Sequence, residues 1–134
     1  QLNEPVFVLT CDNITNIDFS LIEKDYNRKG RPECFLVPVK PIVDLEGDYI
    51  HKKKNIVLRL SRTKKSDIYC SGIQVVNPYK INKIVKKTED FNFLWKKLIK
   101  KKKLIVSDIT PKKWFTIDNL KQLTIFRKKK YWNV

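Results

Sequence analysis

The chain has 134 residues and a formal net charge of +15 at pH 7. Its hydrophobic content of 42% and aromatic content of 11% are typical of a globular protein and exclude a disordered basic tail. No apolar run approaches the ~20 residues that a transmembrane helix needs. Three glycines are too few for a glycine-rich phosphate-binding loop. We therefore expect a single domain over residues 1–134 with a hydrophobic core of its own.

The charge is spread unevenly along the chain. Residues 1–50 contain nine acids and five bases, a net of −4, and residues 51–134 contain five acids and twenty-four bases, a net of +19, which together give +15. An asymmetry of this size predicts that the basic part attracts polyanions and that the acidic third does not. Lysine outnumbers arginine by 24 to 5, so compositional drift is an alternative source of part of the charge.

The chain begins with Gln1 and contains no methionine. We interpret it as a fragment excised from a larger protein, and a mature chain left by signal cleavage is the alternative. The cysteines Cys11, Cys34 and Cys70 are odd in number and lack a CxxC spacing, which predicts neither a disulfide framework nor a zinc site. We expect buried thiols in a reducing compartment, although the sequon at residues 13–15 favours the opposite.

The first half of the chain predicts short strands separated by turns. Residues 5–11 form an apolar, β-branched run that predicts a strand. Residues 12–32 are polar and are predicted to be irregular, with one helical turn at 18–22. Residues 34–43 predict a second strand, and its two prolines predict either a position at the edge of a sheet or a break in the strand.

The middle of the chain predicts a β-hairpin. Residues 55–62 alternate apolar and polar side chains, the pattern of a half-buried strand. Residues 68–76 predict the partner strand, joined to the first by a loop at 63–66. A further short strand is predicted at 81–85.

The clearest helix spans about residues 88–103. Thr88 is its predicted N-cap, and lysines in the late turns suit the negative end of the helix dipole. An apolar stripe recurs at helical spacing in Phe91, Leu94, Trp95 and Leu98. Residues 104–106 then predict a strand, and residues 118–126 fit a helix or a strand. This order predicts an α+β fold with a mostly antiparallel sheet that is curled or barrel-like.

Three clusters of basic residues are candidate phosphate contacts. Two of them contain aromatic rings on which bases could stack while lysines hold phosphates, and each has the plain alternative of a solvated charged surface. The first is Lys96, Lys97, Lys100, Lys101, Lys102 and Lys103, with Phe93 among them. The second is Lys52, Lys53, Lys54, Arg59, Arg62, Lys64 and Lys65, at the ends of the predicted hairpin. The third is Arg127, Lys128, Lys129 and Lys130, followed by Tyr131 and Trp132.

Signatures of catalysis and metal binding are missing from the sequence. His51 is the single histidine and lies in a lysine run. No acidic residue is followed two positions later by lysine, and no serine-hydrolase, phosphate-loop or zinc-protease motif occurs. We therefore predict a protein that is not an enzyme and holds no cofactor or metal. A metal-free ribonuclease built from Lys, Arg, Tyr and His51 is the alternative.

One segment resembles a known family. Residues 86–98, with Ile109–Lys112 after them, resemble the phosphoinositide-binding PX domain, which has an Arg-Arg-Tyr-x-x-Phe stretch, a helix and a proline-rich loop. Lys86 stands at the first arginine position and Thr88 at the tyrosine position, and the loop keeps one proline. The resemblance implies phosphoinositide binding, but too few residues follow Pro111 for the remaining helices of that family.

The composition and clusters together favour a non-catalytic nucleic-acid-binding module that contacts phosphates through residues 51–130. Because arginine is scarce, weak sequence specificity is expected. The second hypothesis is a protein-interaction domain of a nuclear or chromatin-associated protein, with the acidic N-terminal third as a partner surface. Both hypotheses place the protein inside the cell, in the nucleus.

Overall fold

The computed structural model describes residues 3–129 and has eight strands and four helices in that range. The strands are β1 (Val6–Leu9), β2 (Asn13–Thr15), β3 (Cys34–Val39), β4 (Tyr49–Lys53), β5 (Ile56–Ser61), β6 (Tyr69–Val76), β7 (Leu104–Val106) and β8 (Trp114–Thr116). The helices are α1 (Phe19–Arg28), α2 (Pro78–Asn82), α3 (Phe91–Lys100) and α4 (Leu120–Lys128). No helix within residues 3–129 is long and apolar enough to cross a membrane.

Six strands form one sheet in the order β1-β6-β3-β7-β5-β4, and β2 pairs with β8 in a second, small sheet. Every pairing is antiparallel except that of β3 with β7. A further pairing between β4 and β6, at Tyr49 and Tyr69, closes five of the strands into a ring. This confirms the predicted α+β class and the mostly antiparallel, curled sheet.

The strand β3 lies at the centre of the main sheet, between β6 and β7, and all six of its residues are buried. The predicted edge position is therefore wrong. The register with β6 shifts between Leu36 and Pro38, so the proline occupies an irregularity of the ladder, where its missing N–H costs little. Alternate residues of β3 face two apolar clusters, with Cys34 and Leu36 on one side and Phe35 on the other.

The strand β5 confirms the predicted strand at 55–62, but its hairpin partner is β4 rather than β6. The charge of the lysine run at 51–54 predicts a loop at one end of the hairpin. In the structure, β4 includes the first lysines of that run, and Lys54 makes the turn with a φ of 52°. These lysines are exposed, and a strand with exposed charged side chains lacks the apolar pattern from which a strand is predicted.

Two polar residues cap helices that were predicted as a single turn or as a strand. Asp18 caps α1 by accepting hydrogen bonds from the backbone N–H groups of Ser20 and Leu21, and the helix continues for ten residues rather than one turn. Asn77 caps α2 in the same way, with Pro78 at the first helical position. The predicted strand at 81–85 is therefore wrong.

The predicted helix at 88–103 is confirmed with shorter bounds, Phe91–Lys100. Its N-cap is Asp90, which accepts from the backbone N–H of Phe93, and not Thr88. Leu94 and Leu98 are buried as the apolar stripe predicts. The segment at 118–126, which fitted a helix or a strand, is mostly helical and belongs to α4.

Candidate functional site

The polar residues that follow β1 form the start of the candidate site. Thr10, Asp12 and Asn13 come after the last residue of this apolar strand. The backbone N–H of Thr10 donates to the carbonyl of Gly72 in β6 at 3.1 Å. The N–H of Ile117, just after β8, donates to the carbonyl of Asp12 at 3.0 Å. The ends of β1 and β8 and the middle of β6 are thereby held around one polar cluster.

Gly72 is required by this arrangement. Its φ of 82° lies in the left-handed region that other residues rarely adopt. A Cβ atom at this position would lie 2.5 Å from the Thr10 Oγ1 atom and 2.9 Å from the Asn13 Nδ2 atom. The close approach of β6 to the loop after β1 therefore depends on the absence of a side chain.

Two oxygen atoms of the cluster have no hydrogen-bond partner. The Thr116 hydroxyl donates to Asp12 Oδ2 at 2.5 Å, but Asp12 Oδ1 is buried and unpartnered among residues 3–129. Asn13 Nδ2 donates to the Thr10 carbonyl at 3.3 Å, and Asn13 Oδ1 is also buried and unpartnered. Buried acceptors without donors are rare and call for a ligand, an ion or a water molecule.

A second carboxyl group, that of Asp118, lies beside Asp12. Burial by itself would raise the pKa of Asp12, but the side chains of Thr116, Thr10 and Asp118 lower it overall. The contact with Asp12 and the negative charge of its carboxylate raise the pKa of Asp118. Two carboxyl groups this close share a proton or a cation more easily than they both carry an unscreened charge.

Arg62 is a basic residue whose charge affects Asp118. Its positive charge lowers the pKa of Asp118, against the effect of Asp12. The Arg62 Nε atom donates to Asp48 Oδ1 at 3.2 Å, and 69% of its side chain is exposed. The salt bridge orients the guanidinium, and its terminal nitrogens have no protein partner within the described part of the chain.

Four of the predicted basic residues meet along a groove between β5 and α3, which we call the β5–α3 groove. Its volume is about 710 Å³. The apolar lining is Leu58, Leu60, Trp95 and Ile99, the basic lining is Arg59, Arg62, Lys96 and Lys100, and the remaining residues are Asp48, Ser61 and Asn92. The groove thus has an apolar floor and a basic rim.

The other predicted basic residues do not line this groove. Lys52, Lys53, Lys54, Lys64 and Lys65 lie in β4 and the two turns that flank β5, Lys97, Lys101 and Lys103 lie on or after α3, and Arg127, Lys128 and Lys129 end α4. Lys130, Tyr131 and Trp132 lie outside the described residues. Phe93 is 46% exposed, as predicted, with the Lys97 amine 4.6 Å from its ring centre. Members of the first two predicted clusters meet at the β5–α3 groove, and Lys129 of the third donates to the carbonyl of Val43 at 3.4 Å.

The three cysteines are free thiols, and Cys34 is buried as expected. Cys11 is exposed, so the prediction of a buried thiol is wrong there. His51 is partly buried in β4, and one of its ring nitrogens, Nε2, lies 3.1 Å from the Lys64 carbonyl oxygen. It does not reach the acidic pair through any hydrogen bond among residues 3–129.

Neither a protein family nor a curated protein matches the sequence. Solved structures do match the fold. A protein assigned as the glucose-1-phosphate thymidylyltransferase of Bacillus anthracis, solved with sucrose, has a TM-score of 0.74 and 11% identity over 98% of this chain and 56% of its own. The inositol-1-phosphate CTP transferase of T. maritima has a TM-score of 0.71 and 13% identity over 98% of this chain and 57% of its own.

An apo UDP-glucose pyrophosphorylase matches with a TM-score of 0.61 and 13% identity, over 96% of this chain and 56% of its own. This chain has the fold of these nucleotidyltransferases. It spans little more than half the length of the solved chains that it matches.

The likeness corrects the functional interpretation of the sequence. The prediction of a non-catalytic nucleic-acid-binding module is wrong, because the fold is that of enzymes that transfer nucleotides. The same matches contradict the prediction that the protein is not an enzyme. The nuclear location loses its basis, since it depended on nucleic-acid binding, and the local PX resemblance is not reflected in the fold. The individual basic residues stay untested as contacts.

Sequence reasoning missed the acidic cluster altogether. Asp12 was placed in an irregular segment, and Asp118 in a segment of undecided structure. One signal was available, because an acidic residue follows the apolar strand β1 within three positions. Nothing in the sequence indicated that Gly72 and Asp118 would meet it.

Proposed function

We propose that this chain forms part of a nucleotidyltransferase active site that acts on a phosphorylated sugar or polyol. The observation that supports this most strongly is the polar cluster of Asp12, Asn13 and Asp118, with its unpartnered buried oxygens, in a chain whose fold matches nucleotidyltransferases over 98% of its length. The reaction joins a phosphate oxygen of the acceptor to the α-phosphorus of a nucleoside triphosphate. The bond to the β-phosphate oxygen breaks, and pyrophosphate leaves with its electron pair.

The donor atoms of the cluster fit a hard divalent cation. Carboxylate and amide oxygens are the ligands that Mg²⁺ and Mn²⁺ prefer, and Asp12, Asp118 and Asn13 supply them at one place. No group of three or more acidic, histidine or cysteine side chains with metal-site geometry occurs in residues 3–129, so waters or substrate phosphates would complete the coordination. A bound cation would neutralise phosphate charge during transfer.

The protein groups have separate roles in this proposal. Thr116 fixes the orientation of the Asp12 carboxylate through its 2.5 Å hydrogen bond, and Gly72 holds the loop close to β6. Arg62 presents its free terminal nitrogens to an anion, and a guanidinium can bind phosphate through two parallel hydrogen bonds. The net charge of +15 raises the local concentration of nucleotides and sugar phosphates.

Mn²⁺ binding, measured by the relaxation of water protons in titrations of the protein, tests the proposal. Asp12→Asn keeps the size of the side chain and removes its charge, so we expect it to weaken Mn²⁺ binding by at least about tenfold, the equivalent of ~1.4 kcal/mol. Asp67→Asn is the matched control, because Asp67 is an exposed acid far along the sequence in the turn before β6. Equal Mn²⁺ affinity in the two variants would contradict the proposed site.

A further inference from the structure

The wall of the β5–α3 groove that β5 supplies is an incompletely paired strand. On one side, β5 pairs with β4 from Ile56 to Ser61. On the other side it meets β7 at Ile56 alone, with Ile105 as the partner. Within residues 3–129, no backbone hydrogen bond links residues 58–61 to α3. The edge of β5 from Leu58 onward therefore faces the groove.

An exposed strand edge is usually blunted or covered. Here the edge lies opposite a helix at a spacing that leaves about 710 Å³ between them. The Leu58 side chain is 52% exposed, an unusual exposure for an aliphatic residue in a strand. Trp95 is half-buried, and its Nε1 donates a 3.1 Å hydrogen bond to the Gln74 Oε1 atom, which orients the indole in the wall of the groove.

The charge of the groove selects its occupant. Arg59, Arg62, Lys96 and Lys100 line it, and the single acid, Asp48, is already paired with Arg62. A neutral or basic segment would leave these cations without compensation. An extended acidic segment with alternating apolar residues satisfies the open edge, the apolar floor and the basic rim together.

We propose that the β5–α3 groove binds an extended acidic peptide segment of a partner protein, which adds as a strand to the free edge of β5. Backbone hydrogen bonds to β5 supply affinity that does not depend on sequence, alternate apolar side chains fill the floor, and acidic side chains pair with the rim. This binding goes beyond the nucleotidyltransferase proposal. Asp12 and Asp118 are not part of the groove, and Arg62 is the one lining residue that the two proposals share.

Fluorescence anisotropy tests the proposal with a short fluorescein-labelled peptide of alternating glutamate and valine. Lys96→Glu with Lys100→Glu should weaken binding by at least about tenfold, because two attractive rim charges become repulsive. Lys52→Glu with Lys53→Glu is the matched control, since it makes the same charge change on β4, outside the groove. We expect the control to change affinity by less than about twofold, as for a charge screened by salt.

A second probe separates strand addition from simple charge attraction. The same peptide with N-methyl groups on alternate residues keeps every side-chain charge but loses the backbone donors that face β5. We expect the methylated probe to bind at least about tenfold more weakly, and we expect the parent probe to protect amides within residues 58–61 from hydrogen exchange. Equal binding of the two probes, or equal effects of the two charge-reversal pairs, would overturn the proposal.

Discussion

The buried carboxylate of Asp25 should be the most important polar group for the stability of this fold. Asp25 is fully buried in α1 and accepts hydrogen bonds from Arg28 at 2.8 Å, Lys29 at 2.6 Å, the Ser107 hydroxyl at 2.7 Å and the backbone N–H of Asp108 at 3.0 Å. These contacts tie α1 to the loop after β7. Replacing Asp25 with alanine removes all of them at once.

The size of the loss follows from these contacts. Removing one partner of a buried ion pair costs about 3–5 kcal/mol. The Arg28 side chain is 69% exposed, so its contact adds little, and Lys29 keeps a 2.6 Å contact with Asp108. We therefore expect Asp25→Ala to lower the free energy of unfolding by about 3 kcal/mol, the low end of that range. Arg28→Ala, the control, should cost less than ~1 kcal/mol.

The loss should depend on pH in one direction. Burial alone would raise the pKa of Asp25, but hydrogen bonds from Arg28, Lys29, Ser107 and Asp108 lower it far below its ordinary value. Because the pKa of Asp25 is lower in the folded state than in the unfolded state, its ionised carboxylate stabilises the fold at pH values above the unfolded-state pKa of about 3.9. This stabilisation is lost progressively as the pH falls below that value. The difference in the free energy of unfolding between wild type and Asp25→Ala, measured by urea denaturation, should thus be the same at about pH 7 and pH 5 and smaller at about pH 3. A difference below ~1 kcal/mol at neutral pH, or one that grows in acid, would refute this reasoning.

Three further predictions concern folding and the thiols. Gly72→Ala should cost at least ~1 kcal/mol in urea denaturation, because it combines a φ of 82° with a Cβ placed 2.5 Å from Thr10 Oγ1; no loss would contradict the close packing. Trp95→Ala should lower the free energy of unfolding by ~3 kcal/mol, because Trp95 packs on the core, and Phe93→Ala by less than ~1 kcal/mol, because Phe93 is 46% exposed. The reverse order would show that the orientation of α3 is wrong. In thiol titration of the native protein, Cys11 should react at once and the other two cysteines only on unfolding, because burial raises their pKa values; three fast thiols would exclude the described core.

The sequence predicted those features that depend on local periodicity. The apolar stripe of α3 and the alternation in β5 each follow from the spacing of side chains along one element, and both elements were found. Long-range contacts defeated the prediction elsewhere. Pro38 indicates an edge strand until the register shift with β6 is known, and the lysines of β4 indicate a loop until β5 is seen beside them.

The candidate site was beyond prediction for a similar reason. Asp12 and Asp118 are separated by most of the chain, and they meet only because β2 pairs with β8. The charge excess drew attention to the lysines, and none of them belongs to the acidic cluster of Asp12 and Asp118. The informative residues were two acids, Asp12 and Asp118, whose positions in the fold cannot be read from the composition.

The most direct test of the proposed function is the release of pyrophosphate from nucleoside triphosphates. Wild-type protein would be incubated with Mg²⁺ or Mn²⁺ and with glucose 1-phosphate or inositol 1-phosphate as acceptor, in parallel with Asp12→Asn and Asp67→Asn. We expect release that requires both the cation and an acceptor and is retained in Asp67→Asn. In Asp12→Asn the release should fall by at least about a hundredfold, the equivalent of ~2.7 kcal/mol of transition-state stabilisation. Release that is independent of the cation, or equal in the two variants, would contradict the proposed function.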